Sequence, residues 1–160
     1  MAITKILYRN GGLRQAIDYI TNPVKTDENL LTDYIRCDPG YAAQQMMDTK
    51  RALGKTAGRQ CYHIIQSFKP DEITPELAHE IARQFAAEHL PGYEAVIATH
   101  VDKAHIHSHI VFNSVNAVTG KMYHSTCENY YRQIRGVSDR LCKAHGLSIV
   151  LESDEKKAVS

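Results

Sequence analysis

Between Thr99 and Val115 the chain reads THVDKAHIHSHIVFNSV, and its alternation makes this segment a strand with two unlike faces. His105, His107, His109, Val111 and Asn113 fall on one face, and Ile106, Ser108, Ile110 and Phe112 on the other. Three imidazoles therefore share one surface. Residues Glu94 to His100 also read as a strand, joined to Ile106–Val115 by a short polar loop, so the two segments form a hairpin. If the loop centres between Lys103 and Ala104, His100 lies opposite His107 with His109 as its diagonal neighbour; a slip of one residue breaks this set.

The spacing limits what such a strand can ligate. Side chains two residues apart have Cα atoms about 6.5 Å apart, so neighbouring His-x-His imidazoles can converge on one ion at ~2.0–2.1 Å. The outer pair, about 13 Å apart, does not converge easily. His100, His107 and His109 are the set the hairpin geometry selects, leaving His105 as a neighbour. Asp102, in the loop, is placed to orient a ligand imidazole or to bind the ion itself. Three neutral nitrogen ligands leave coordination positions open, the mark of a catalytic or substrate-binding ion rather than a closed structural one.

The other elements follow from periodicity and punctuation. Ile3–Tyr8 reads as a first strand stopped by Asn10-Gly11-Gly12. Leu13, Ala16, Ile17 and Ile20 then form one helical stripe, ended by Asn22-Pro23, with Tyr19 beside that stripe and able to face a cleft. Residues 21–37 read as irregular. Asp38-Pro39 opens a helix carrying Ala43, Met46, Met47 and Leu53 and closed by Gly54. Arg59–Phe68 has strand composition, with Cys61, His63, Ile65 and Ser67 sharing a face. Thr74 caps a long helix with Pro75 in its first turn and Leu77, Ile81 and Phe85 on its buried stripe. Ser125-x-x-Glu128 reads as a capping box for a last helix reaching His145, with Tyr131 and Ile134 in its core stripe, and Leu147–Leu151 as a final strand. Strands and helices alternate around a hairpin, which indicates an α+β fold with an antiparallel or mixed sheet covered by helices.

Composition excludes several classes. With 160 residues, 43% hydrophobic and 23% charged, the chain is expected to form one globular domain over residues 1–152, followed by a polar tail at 153–160. The formal charge of +1 gives no global basic field and argues mildly against nucleic acid. No stretch approaches the roughly 20 apolar residues of a membrane span, and the N-terminus lacks a signal-peptide core, so a cytoplasmic location is expected. Cys37, Cys61, Cys127 and Cys142 form no Cys-x-x-Cys pair and read as reduced thiols. Local basic groups exist nonetheless: Lys50, Arg51, Lys55 and Arg59 around one loop, and Arg132, Arg135, Arg140 and Lys143 on the last helix. The first four with Arg132 and Arg135 are the DNA-contact candidates.

An open, His-ligated ion acts as a Lewis acid on a carbonyl or phosphoryl oxygen, or lowers the pKa of bound water. No His-Glu-x-x-His helix is present for peptidase chemistry. A phosphodiester needs only charge neutralisation and a positioned oxygen nucleophile, which one of the nine tyrosines can supply.

The motif His-x-Asp-x-x-His-x-His-x-His from His100 to His109, followed by Ile-Val-Phe-Asn-Ser-Val, resembles the mobilisation and conjugation relaxases of the HUH endonuclease superfamily. So do the preceding His-x-x-Gln-Ser-Phe-x-Pro at His63 and the Ala-Ile-Asp-Tyr-Ile ending at Ile20. The resemblance runs from about Thr4 to His145. It implies a central five-stranded antiparallel sheet flanked by helices and a divalent ion, Mg²⁺ or Mn²⁺, held by His100, His107 and His109. It implies Tyr19 as the nucleophile that nicks one DNA strand at an origin of transfer, leaving a 5′-phosphotyrosine link. His63 and Ser67, with Asp102 and His105, become supporting residues. The implied partners are single-stranded or hairpin origin DNA and accessory mobilisation proteins. Family members commonly extend further at the C-terminus, so residues 153–160 read as the start of a truncated region. Tyr123, Tyr130 and Tyr131 are rival nucleophiles. A rolling-circle replication initiator, a related transposase, and a non-catalytic metal- or DNA-binding module are the competing functions.

Overall fold

A computed structural model describes residues 2–27, 31–102 and 104–147. The elements run β1 (Ala2–Arg9), α1 (Leu13–Ile20), β2 (Thr32–Ile35), α2 (Ala42–Leu53), β3 (Cys61–Phe68), α3 (Pro75–His89), β4 (Ala95–His100) and β5 (Ile106–Asn113). A π-helical segment (Asn129–Ile134) and α4 (Arg135–Ala144) follow. The five strands form one antiparallel sheet in the order β1-β3-β5-β4-β2, as the family resemblance implies. One of the five strands differs from expectation. It is Thr32–Ile35, an edge strand inside the stretch read as irregular, and all four of its residues are only half-buried, so no strong alternation marks it. The expected strand over Leu147–Leu151 lies, beyond Leu147, outside the described residues.

Strand alternation divides the core in two. On one face Val96, Ala98, Val111 and Cys61 pack against the α1 stripe Leu13, Ala16, Ile17 and Ile20 and against Ala42 and Met46 of α2. On the other, Ile64, Phe68, Ile97, Ile110 and Phe112 pack against Ile81 and Phe85 of α3 and Ile134 and Leu141 of the C-terminal helices. Burying side chains of this size contributes about 1.5–3 kcal/mol each before conformational entropy is counted, enough to hold sheet and helices in fixed relation.

Local chemistry accounts for most boundaries. Thr74 Oγ1 accepts from the Leu77 amide at 3.2 Å, and Pro75 occupies the first turn of α3. Gly54 closes α2 at φ 66°, the left-handed geometry that glycine adopts without a Cβ clash. The α2 stripe is not the expected one. Ala42, Met46 and Lys50 are buried, whereas Met47 and Leu53 are exposed, because the buried face follows the i, i+4, i+8 row that ends in Lys50. The helix also starts later than Asp38-Pro39, since Asp38 is occupied with Gln45, whose Oε1 accepts from its amide and whose Nε2 donates to its carboxylate. Near the C-terminus the cap is Thr126, whose Oγ1 accepts from the Asn129 amide at 3.0 Å, rather than Ser125, and Glu128 pairs with Arg132 instead. The π-helical winding then turns Tyr131 outward and gives the core positions to Tyr130 and Ile134, displacing Tyr131 from its expected stripe.

Candidate metal centre and nucleophile

The β4–β5 hairpin has the register the sequence suggests. His100 is the direct partner of His107, Ala98 of His109, and Val96 of Val111. On the other side of β5, Ser67 is opposite His107, Ile65 opposite His109 and His63 opposite Val111. A row of Ser67, His107 and His100 therefore crosses the middle of the sheet, with His109 one pleat further along the same face. Beneath it, on the α3 face, Thr99 Oγ1 and Ser108 Oγ are 2.9 Å apart. His79 bridges Thr99 Oγ1, at 2.9 Å, and Asp33 Oδ2, at 2.5 Å. This buried polar chain pins β4 to β5 at the register that brings the histidines together.

The imidazoles cluster closely. Ring centroids of His100 and His109 are 4.0 Å apart, and those of His107 and His109 are 6.4 Å apart. His105 is exposed, its ring 6.2 Å from that of His107, so it stands outside the cluster as a neighbour. Asp102 is exposed in the hairpin loop, where its charge favours the protonated form of His100. His63 Nε2 and His109 Nδ1 are 2.7 Å apart, one donating to the other. His100 Nε2 is 2.9 Å from the Ile20 carbonyl, which can only accept, so Nε2 carries the proton and Nδ1 keeps a lone pair.

Burial keeps these rings neutral. Desolvation pushes the His63 pKa down to about 4, aided by the Arg9 and His100 charges. It pushes His109 to about 2, with His100, His63, His107 and Lys25 adding repulsion. His100 is lowered by burial as well, against the pull of its hydrogen bond to Ile20. Neutral imidazoles with available lone pairs are the protonation state that metal ligation requires. The buried imidazoles of His100 and His109 thus offer neutral nitrogen donors of the kind a divalent ion can take. Their placement falls short of a closed set: among the described residues no three His, Cys, Asp or Glu side chains already converge as ligands, and the His107 ring lies further from His109 than the His100 ring does.

Tyr19 is brought to the same place by the end of α1. Half of its surface is exposed, and its ring meets those of His100 and His109 edge-on, at 5.9 and 6.3 Å between centroids. The Lys25 ammonium is 4.3 Å from the centroid of the Tyr19 ring. Lys25 escapes a reading of the sequence, because it sits in the 21–37 stretch with no periodicity to aim it. The rival tyrosines are elsewhere. Tyr123 is buried on the α3 face, its hydroxyl donating to Asn129 Oδ1 and within 2.7 Å of His89 Nε2, and its pKa is driven up by desolvation. The Tyr130 hydroxyl donates to the Thr4 carbonyl, and Tyr131 lines a groove at the β1 edge.

The basic candidates separate. Lys50 is only 2% exposed: its ammonium donates to Asn113 Oδ1 and to Ser114 Oγ, so it joins α2 to the end of β5 and offers no surface to DNA. Arg51 and Lys55 are exposed, Arg51 beside Asp48. Arg59 stacks on Tyr8 with 3.9 Å between its guanidinium carbon and the ring centroid. Arg132 faces Glu128 on its own helix, and Arg135 is paired with Asp139 with a side chain only 16% exposed, which leaves it little surface for a phosphate.

A sheet with three histidines on one face and a helix-borne tyrosine beside them defines a class, and comparison with known proteins gives it a family. The chain belongs to the relaxases: the MobA/VirD2-like relaxase nuclease-domain family matches residues 19–147. It is 36% identical over 149 residues to protein rlx of Staphylococcus aureus, covering 93% of this chain and 45% of that protein. It is 41% identical over 109 residues to the group II intron-interrupted relaxase LtrB of Lactococcus lactis subsp. cremoris (strain MG1363), covering 58% of this chain and 19% of LtrB. The chain thus spans less than half the length of these relatives. The MobM relaxase domain, solved with Mn bound and with plasmid pMV158 oriT DNA, shares the fold at a TM-score of 0.63 and 14% identity, over 99% of each chain. A structure described under vancomycin resistance transfer in Staphylococcus aureus shares it at 0.60 and 11%, over 93% of this chain and 95% of that one.

Proposed function

We propose that this chain is the nicking domain of a DNA relaxase, cutting one strand at an origin of transfer during mobilisation of a plasmid or integrative element. The observation that carries this reading is the edge-on approach of Tyr19 to His100 and His109. His100, His107 and His109 would hold a divalent ion, Mg²⁺ or Mn²⁺, in keeping with the Mn-bound state of MobM. Bound there, the ion supplies Lewis-acid stabilisation of charge on a phosphate oxygen.

The side chains divide the remaining work. Tyr19 Oη attacks the scissile phosphorus while the 3′-oxygen departs on the opposite side. The new bond is Oη–P, the broken one P–O3′; the phenol gives up its proton and the 3′-oxygen gains one. Lys25 stands over the Tyr19 ring, where its ammonium can meet the phosphate. His63 fixes the orientation of His109 through their shared hydrogen bond, and Ser67 lies across from His107. Because the phosphodiester energy stays in the tyrosine ester, reversal by a 3′-hydroxyl reseals the strand without a nucleotide cofactor. Single-stranded or hairpin origin DNA is the expected substrate, accessory mobilisation proteins the expected partners, and the cytoplasm the expected location. Among the described residues no helix is long and apolar enough to cross a membrane.

Nicking of labelled single-stranded origin DNA, with Mn²⁺ or Mg²⁺ added back after chelation, tests this reading. Ion-dependent cleavage that His107→Ala and His109→Ala each reduce at least about a hundredfold supports it. DNA binding without cleavage at any ion concentration favours the non-catalytic module.

A further inference from the structure

The outer edge of β1 carries a second feature, apart from the histidine cluster. There, a groove of about 650 Å³ separates β1 from residues 125–131. Three residues with large exposed apolar side chains line it: Leu7, Tyr8 at 52% exposure and Tyr131 at 47%. Apolar surface gathered in this way usually marks an interaction site. The remaining chemistry narrows the occupant. The Arg59 guanidinium carbon is 3.9 Å from the Tyr8 ring centroid and Lys5 adds a second cation, while none of the side chains lining the groove is acidic. One wall is the π-helical segment, whose winding turns Tyr131 outward while the Tyr130 hydroxyl holds Thr4.

We propose that this groove is a base-stacking subsite for single-stranded DNA, which enters it after crossing the sheet from the histidine cluster. The inference rests on the reading above, that the substrate is single-stranded DNA. Flat aromatic faces beside cations, with no opposing carboxylate, suit a polyanion that carries a flat base at every step. The path between the two sites is open. Helices α1 and α2 cover β4 and β5, whereas on the same sheet face Lys5 and Leu7 of β1 are exposed and Ile65 and Ser67 of β3 only half-buried. Lys5 is paired with Ile65, which is paired with His109, so one cross-strand row leads from the groove to the metal centre. With strands ~4.8 Å apart, the groove begins roughly 10–15 Å from His109. That is about three to four nucleotides at the stacked rise of ~3.4 Å.

The test follows binding of a fluorescent twelve-residue oligothymidylate to wild type, Tyr8→Ala, Tyr131→Ala and, as a control away from both sites, Tyr41→Ala. Maleimide labelling of Cys127 in the wild-type protein is measured alongside. Cys127 is exposed in the groove, whereas Cys61 and Cys142 are buried and the half-buried Cys37 thiol is pushed up to about 11, so the reagent reads the groove. The expected result is at least a fivefold loss of affinity in Tyr8→Ala and in Tyr131→Ala, none in Tyr41→Ala, and slower labelling of Cys127 when the oligonucleotide is bound. If the oligonucleotide binds while Cys127 reacts at its free rate and both variants bind like wild type, the groove is not on the DNA path, though the DNA reading survives. If wild type binds no single-stranded DNA, both readings fall together.

Discussion

Replacing Lys50 separates a structural peg from a DNA contact. The side chain is buried, its ammonium donating to Asn113 Oδ1 and, at 2.8 Å, to Ser114 Oγ. Asn113 in turn donates to the Met46 carbonyl at 3.1 Å and to Glu94 Oε1 at 3.0 Å, so one network ties α2 to β5 and to the residue before β4. Lys50→Ala removes two hydrogen bonds from a charged donor, each contributing about 1.5–3 kcal/mol, and leaves Asn113 Oδ1 without that partner. It also empties the space of three methylenes, about 0.8 kcal/mol apiece. Against this stands the desolvation of the ammonium, which pushes the Lys50 pKa down to about 8 and is relieved in the variant. The net is about 3–5 kcal/mol, or a melting temperature lower by roughly 6–20 °C at about 2–4 °C per kcal/mol. Lys50→Met keeps the stem and should lose about 1–3 kcal/mol. Urea denaturation measures the stability, and the salt dependence of single-strand binding is measured on the folded fraction. The refuting result is wild-type stability together with a salt slope reduced by about one phosphate contact, the signature of a surface lysine.

Two further perturbations probe the site and the fold. His63→Ala removes the partner that orients His109 while leaving the proposed ligands in place; nicking at limiting Mn²⁺ should fall about 10–100-fold and recover in part as Mn²⁺ is raised, whereas an unchanged ion dependence would remove His63 from the site. His89, whose ring nitrogen is 2.7 Å from the Tyr123 hydroxyl, has its pKa lowered to about 4 by burial. Its folded pKa lies below the unfolded value of about 6.5, so the unfolded chain binds the extra proton between them, and this stability is present above pH 6.5 and lost as pH falls towards 4. Metal-free wild type should therefore lose about 1–2 kcal/mol more than His89→Gln over that window by urea denaturation, and parallel pH profiles would contradict it.

What could be read from the sequence was what periodicity and punctuation encode. The alternation of His105 to Asn113 assigned the faces of β5, and centring the polar loop between Lys103 and Ala104, an assumption at that point, gave the register that pairs His100 with His107. The stripe Leu13, Ala16, Ile17, Ile20 placed α1 with the bounds observed, and so placed Tyr19 beside the buried face. Where polar groups take over the work of apolar ones, the pattern misleads. Lys50 occupies a buried stripe and bonds to Asn113 and Ser114, and no hydropathy rule anticipates a charged side chain there. β2 is a short, half-buried edge whose place is set by pairing with β4 rather than by its own residues. A winding of six π-helical residues moves Tyr130 and Tyr131 off the faces that 100° per residue assigns. The approach of Lys25 to Tyr19 depends on a loop conformation that has no period to read.

Tyr19 is the side chain expected to make the covalent bond to DNA. Incubating the protein with Mn²⁺ and single-stranded origin DNA, denaturing it, trimming the DNA with nuclease and mapping the modified tryptic peptide by mass spectrometry locates that bond. A nucleotide is expected on Tyr19, in the peptide Gln15–Lys25, and none in Tyr19→Phe. A nucleotide on Tyr123, Tyr130 or Tyr131, persisting in Tyr19→Phe, would contradict it.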